Sequence, residues 1–139
     1  MAVGLRVRSN AWVVGSQDFL HSFFSTVAHR LEPDGWGSRF PALGSELYRG
    51  ELSADRVAAA RSELAVLHEE LARFPPSDVV WDIEDLAARP PWGDDISPDI
   101  TDLSNYFVTQ DGRDLFEVFE EALSYAERAP APVSIETGL

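Results

Sequence analysis

Between Ser53 and Pro75 the chain places Val57, Ala60, Leu64, Leu67, Leu71 and Phe74 at alternating intervals of three and four. That rhythm puts all six on one stripe of an α-helix. Pro75 and Pro76 close the stretch, because proline has no backbone donor and its ring clashes with the preceding turn. The pattern predicts a helix over residues 54–74 with Ser53 as its cap. A stripe of this length has to be buried, so the chain must supply other layers to cover it.

Those layers are legible as a change of period. Val3, Leu5 and Val7 alternate with Gly4, Arg6 and Arg8, the period-2 signature of a strand with one buried face. A turn at Ser9-Asn10 leads to a second strand over Ala11 to Val14, and the two form a hairpin. Ser16 then caps a helix over 16–31 in which Phe19, Leu20, Phe23, Phe24, Val27 and Leu31 share a face. Pro33, Gly35 and Gly37 end it and open an irregular stretch through Gly44. Short strands are expected at Glu46 to Arg49 and at Val79 to Trp81, and a long broken segment follows through Pro90, Pro91, Gly93 and Pro98. After the Asp111-Gly112 turn, Leu115, Phe116, Phe119, Leu123 and Ala126 predict a third helix over 113–127, and Val133 with Ile135 a last strand. The expectation is one α+β domain spanning 1–139, an antiparallel or mixed sheet packed against about three main helices.

Charge and residue type narrow the function. The net charge is -13, from 24 acidic and 11 basic residues, which disfavours a phosphate backbone or an anionic membrane and favours a basic partner. Solubility alone also accounts for such a surface. No segment offers the roughly 20 apolar residues of a membrane span, and the first ten residues lack the apolar run of a signal peptide. The absence of cysteine fits a reducing compartment, so the cytoplasm is expected. His21 and His29 lie eight apart, about 80° out of phase on a helix, and His68 has no companion histidine one turn away, so metal catalysis finds no ligand set. No nucleophile elbow and no phosphate-binding loop occur. No catalytic centre and no cofactor are expected.

The segment Trp36-Gly37-Ser38-Arg39-Phe40-Pro41-Ala42-Leu43 carries a more specific signal. It resembles the Gly-Ser-Arg-Phe-Pro-x-Leu segment of the immunity protein 70 family, assigned to bacterial polymorphic-toxin systems. The order of later features is similar: Gly50-Glu51-Leu52-Ser53 before the long helix, Phe74-Pro75-Pro76 after it, Tyr106-Phe107 before Asp111-Gly112. The resemblance implies a toxin inhibitor that acts by binding its cognate toxin, with Gly37, Ser38, Arg39, Phe40 and Pro41 as a structural or binding motif. The chain departs from the family after Pro-x-Leu, where Gly44-Ser45-Glu46-Leu47-Tyr48 replaces a polar, histidine-containing stretch. Arg39 either pins the loop through its guanidinium fork or projects toward a partner.

A second candidate lies further along. Asp78, Asp82, Glu84, Asp85, Asp94, Asp95, Asp99 and Asp102 crowd residues 78–102, where Arg89 is the one basic residue. Trp92, Asp94, Asp95, Asp99 and Asp102 are therefore candidate partner-binding residues, an aromatic anchor ringed by acids facing a basic toxin. The spacing does not match a calcium loop. A solvated loop with Trp92 packed inward is the competing reading. An enzyme using carboxylate chemistry and an assembly subunit remain alternatives to the immunity function, and no feature fixes an oligomeric state.

Overall fold

The computed structural model describes residues 2–139. The hairpin pairs β1 (Val3–Val7) with β2 (Asn10–Gly15), and Leu5 faces Trp12 across it. Its turn is Arg8-Ser9 rather than Ser9-Asn10, since Asn10 already pairs with Val7. Arg8 adopts the left-handed region at φ 55° to make so tight a turn, and its guanidinium donates to the Ala129 carbonyl at 2.8 Å. Gly4 has no room for a side chain, because a Cβ there would collide with the Trp12 carbonyl and the Leu139 side chain.

Helix α1 (Gln17–Leu31) starts where Ser16 Oγ accepts the Phe19 N–H at 3.0 Å, the capping bond that its sequence position predicts. A π-helical turn, Ala42–Leu47, follows the motif segment, and β3 (Glu51–Leu52) is a two-residue strand. The expected strand over Glu46 to Arg49 does not form. The Glu63 carboxylate accepts the Ala42 and Leu43 N–H groups at 3.1 and 3.0 Å, satisfying the orphan donors of a helical turn and committing the backbone to it.

Helix α2 (Val57–Leu71) is entered through a 3₁₀ turn at Ala54–Arg56. The Ser53 hydroxyl donates to Asp55 Oδ1 at 2.6 Å instead of capping the helix. The regular helix stops at Leu71, where Arg73 and Phe74 close i+3 bonds to Glu70 and Leu71. Helix α3 (Leu115–Arg128) begins later than expected because Asp114 is its cap, accepting the Phe116 N–H at 2.9 Å. Strand β4 (Val133–Thr137) ends the regular structure.

Among the described residues these strands form one antiparallel sheet in the order β2-β1-β4-β3. The last strand thus inserts between the first hairpin and the short β3. Helix α3 lies across β1, β2 and β4, and α2 packs on α3. The fold is α+β with three main helices on an antiparallel sheet. Phe23 of α1 sits at the centre, fully buried and within 5.2–5.5 Å of the rings of Phe24, Phe107, Phe116 and Phe119. Burying a side chain of that size is worth about 1.5–3 kcal/mol. Val79 to Trp81 forms no strand, for reasons that belong to the site.

Candidate partner-binding site

The motif segment is fastened by carboxylates. Arg39 forms a two-pronged pair with Glu70 of α2, Nη1 to Oε1 and Nη2 to Oε2 at 2.7 Å each, while Nη1 also reaches the Leu31 carbonyl at 3.0 Å. Hydrogen bonding to the guanidinium holds the Glu70 carboxyl below its ordinary range and raises Arg39. Glu32 at the end of α1 is buried, and its Oε2 accepts the N–H groups of Arg39 and Phe40 at 3.0 and 3.1 Å. Phe40 is buried beneath the Arg39 guanidinium, which lies 4.9 Å from its ring centre. Gly37 sits at φ 82° against Ser45 with no space for a Cβ, the Ser38 hydroxyl donates to the Gly35 carbonyl at 2.7 Å, and Pro41 leads into the π-helical turn. Within the motif, the guanidinium fork of Arg39 is spent on the protein's own backbone and Glu70.

Just beyond it, four rings meet. Trp36 and Tyr48 pack against Phe24 and His21, with ring centres 4.9–6.4 Å apart. The Trp36 indole N–H donates to the Gly44 carbonyl at 2.6 Å. His21 is held on both ring nitrogens, by the Tyr48 hydroxyl at 2.7 Å and Asp82 Oδ1 at 3.2 Å. Burial pushes the Tyr48 hydroxyl pKa up, reinforced by Asp82 and Glu84. Asp82 is held low by the Glu84 N–H and then by His21.

His21 and Asp82 begin the attachment of the broken segment to α1. The Ser22 hydroxyl donates to the Val80 carbonyl at 2.9 Å, Thr26 both donates to that carbonyl at 3.1 Å and accepts the Val80 N–H at 3.0 Å, and Ser25 accepts the Ile83 N–H at 3.2 Å. Within Val79 to Trp81, the Val80 backbone bonds to helix side chains, which is why the segment joins no sheet. Sequence reasoning missed Ser22, Ser25 and Thr26. The signal was present, a row of small hydroxyls at helical spacing beside the apolar stripe, all three buried.

The acidic candidates fall into two groups. Asp94, Asp95 and Asp99 are exposed and lie within 4 Å of no cationic group among the described residues. Asp102 is half-buried and turned into its own loop, accepting the Ser104 N–H at 2.8 Å, the Ser104 hydroxyl, and the Thr101 hydroxyl at 3.0 Å. Partial desolvation works against ionisation there, but these hydrogen bonds prevail and lower its pKa. Trp92 is 37% exposed. Its N–H donates to the Tyr106 hydroxyl at 2.8 Å and its ring meets Trp81 edge-on at 5.4 Å. Trp92 therefore stands as a fixed wall. With Phe19, Ile96, Ile100, Tyr106 and Val108 it lines a groove of about 300 Å³, and Asp95 stands at its rim.

Elsewhere part of the surface charge is compensated, while Asp18, Asp34, Glu51, Glu69 and Glu117 are also exposed without an ion pair among the described residues. Arg6, Arg30, Arg39, Arg56, Arg61 and Arg113 pair with carboxylates on the strands, the helices and Asp78. None of these pairs falls between 82 and 102. Among the described residues no group of three or more acidic or histidine side chains is arranged to hold a metal ion, and no helix is long and apolar enough to cross a membrane.

Residues 5–135 match the family model described as Immunity protein 70. The chain belongs to the immunity protein 70 family. The match runs from β1 to β4 and takes in the motif, the aromatic cluster and the acidic segment. No curated protein and no solved structure matches the chain. For an immunity protein a toxin partner is implied in general terms.

Proposed function

We propose that this immunity protein 70 member binds and neutralises a cognate toxin of a bacterial polymorphic-toxin system in the cytoplasm, by protein–protein contact and without catalysis. The supporting observation is the pairing of exposed, uncompensated Asp94, Asp95 and Asp99 with the apolar groove beside Trp92. Such a face suits a basic protein surface that offers an apolar side chain to the groove. Trp92, fixed by Trp81 and Tyr106, contributes a pre-ordered wall and loses little side-chain freedom on binding. The same negative field repels nucleic acid and anionic membranes.

The test is growth rescue. Co-expression with the toxin domain encoded beside its gene should restore growth, and the purified pair should form a stable complex. Rescue without a complex, or with continued turnover of a small molecule by this chain, would speak for an enzyme instead.

A further inference from the structure

A cavity of about 530 Å³ lies between the C-terminal half of α1 and the 76–96 segment. It is within the size range of small-ligand sites. His29, Arg30 and Arg89 all contribute to its lining, against the single carboxylate of Asp94. Two guanidinium groups thus line one cavity in a chain of net charge -13.

The two arginines, like Arg49, Arg73 and Arg128, close no guanidinium hydrogen bond onto a carboxylate among the described residues. Arg39, Arg56, Arg61 and Arg113 each close a guanidinium hydrogen bond onto a carboxylate. Arg30 spends only Nε, on the Asp78 carbonyl at 2.9 Å, and its Nη2 stays 4.0 Å from Asp78 Oδ1. That separation is too long for a hydrogen bond. Arg89 makes no side-chain hydrogen bond or ion pair among the described residues, and it is exposed. Five-donor groups with open positions, lining one cavity, suit a planar oxyanion.

The remaining walls set the rest of the ligand. Val79, Val80, Ile96 and Tyr106 give an apolar lining, and Leu86, 61% exposed, stands at the cavity as an apolar side chain with little else to cover it. The surrounding field and Asp94 disfavour di- and trianions more than monoanions, since repulsion scales with ligand charge. From these features we infer that the cavity is a binding site for a carboxylate carried on an apolar body. The source is either a free organic acid or the C-terminal carboxylate of a peptide. This cavity shares Ile96 and Tyr106 with the groove at Trp92, but Arg30 and Arg89 line this cavity and not the groove, and the inference does not depend on the immunity reading.

The probe is octanoate, titrated into isotopically labelled protein at low millimolar concentration while the amides of Val80 and Ile96 and the Nε–H groups of Arg30 and Arg89 are followed. Saturable shifts at these positions are expected, with octanamide and inorganic phosphate at least tenfold weaker. R89Q should weaken octanoate at least fivefold, and because Arg89 makes no internal side-chain bond the variant should fold normally. R30Q should weaken it too, though loss of its bond to Asp78 can disturb the loop, so R89Q is the deciding variant. A peptide ending in leucine that displaces octanoate, while its amidated form does not, assigns a chain terminus; failure of both peptides to displace it assigns a free acid. Equal shifts with octanamide, phosphate binding as tight as octanoate, or an unchanged affinity in R89Q would overturn the proposal.

Discussion

Glu63 and Glu70 stand seven residues apart on α2, two helical turns along one side, and both hold the segment that follows α1. Glu63 caps the π-helical turn through Ala42 and Leu43, and Glu70 grips Arg39. Their environments push them in opposite directions. Burial raises the Glu63 pKa above its ordinary 4.5 despite its two backbone hydrogen bonds, while bonding to Arg39 lowers that of Glu70.

The signs of their pH dependence are therefore opposite. Glu70 contributes stability that is present above pH 4.5 and is lost as pH falls through its lowered folded value. Glu63 contributes stability that is present below pH 4.5 and is lost as pH rises through its raised folded value. In urea unfolding from pH 3.5 to 7, the stability deficit of E70Q should grow with pH, to about 1 kcal/mol once solvent screening of the exposed Arg39 is allowed for. The deficit of E63Q should shrink over the same range. Slopes of the same sign would contradict this account of the two carboxylates.

Glu32 should be the most sensitive residue of the motif region. Removing its carboxylate in E32A strands the N–H groups of Arg39 and Phe40, the second of them buried. A loss of about 1–3 kcal/mol is expected, the cost of one unsatisfied buried donor. Unfolding by denaturant reads it directly, and a loss under about 1 kcal/mol would mean that water replaces the carboxylate.

Thr26 serves the Val80 N–H and carbonyl together, so T26V, nearly the same in shape, removes both bonds at once. Stability should fall by about 1–3 kcal/mol. Hydrogen exchange should accelerate at Val80 and Ile83 before it does so in α2. Uniform acceleration across the protein would show that the segment is not fastened there.

How far the sequence discloses this fold depends on whether partners are local. The hairpin, the three helices and the last strand follow from periodicity, and the Ser16 cap from one residue in the right place. Errors came where a side chain far along the chain decides backbone shape. Glu63 turns the stretch before Tyr48 helical from 20 residues away, and Thr26 diverts Val80 from strand pairing from 54 away. Asp102 looked equivalent to Asp94, Asp95 and Asp99 in sequence, and differs only because Ser104 and Thr101 fold back onto it. The acidic segment as a region was legible, but the groove beside it was not, because Phe19 reaches it from α1.

The central claim is that Asp94, Asp95 and Asp99 steer a basic toxin to the groove at Trp92, while Asp102 serves its own loop. The most direct measurement is the association rate of the purified toxin domain at low and high salt with wild type, the triple variant D94N/D95N/D99N, and D102N. The triple variant should associate about tenfold more slowly at low salt and show a flatter salt dependence, as loss of electrostatic steering requires. D102N should retain the wild-type association rate and lose stability instead. A triple variant with the wild-type rate and salt slope would contradict the account and place the toxin contact elsewhere on the molecule.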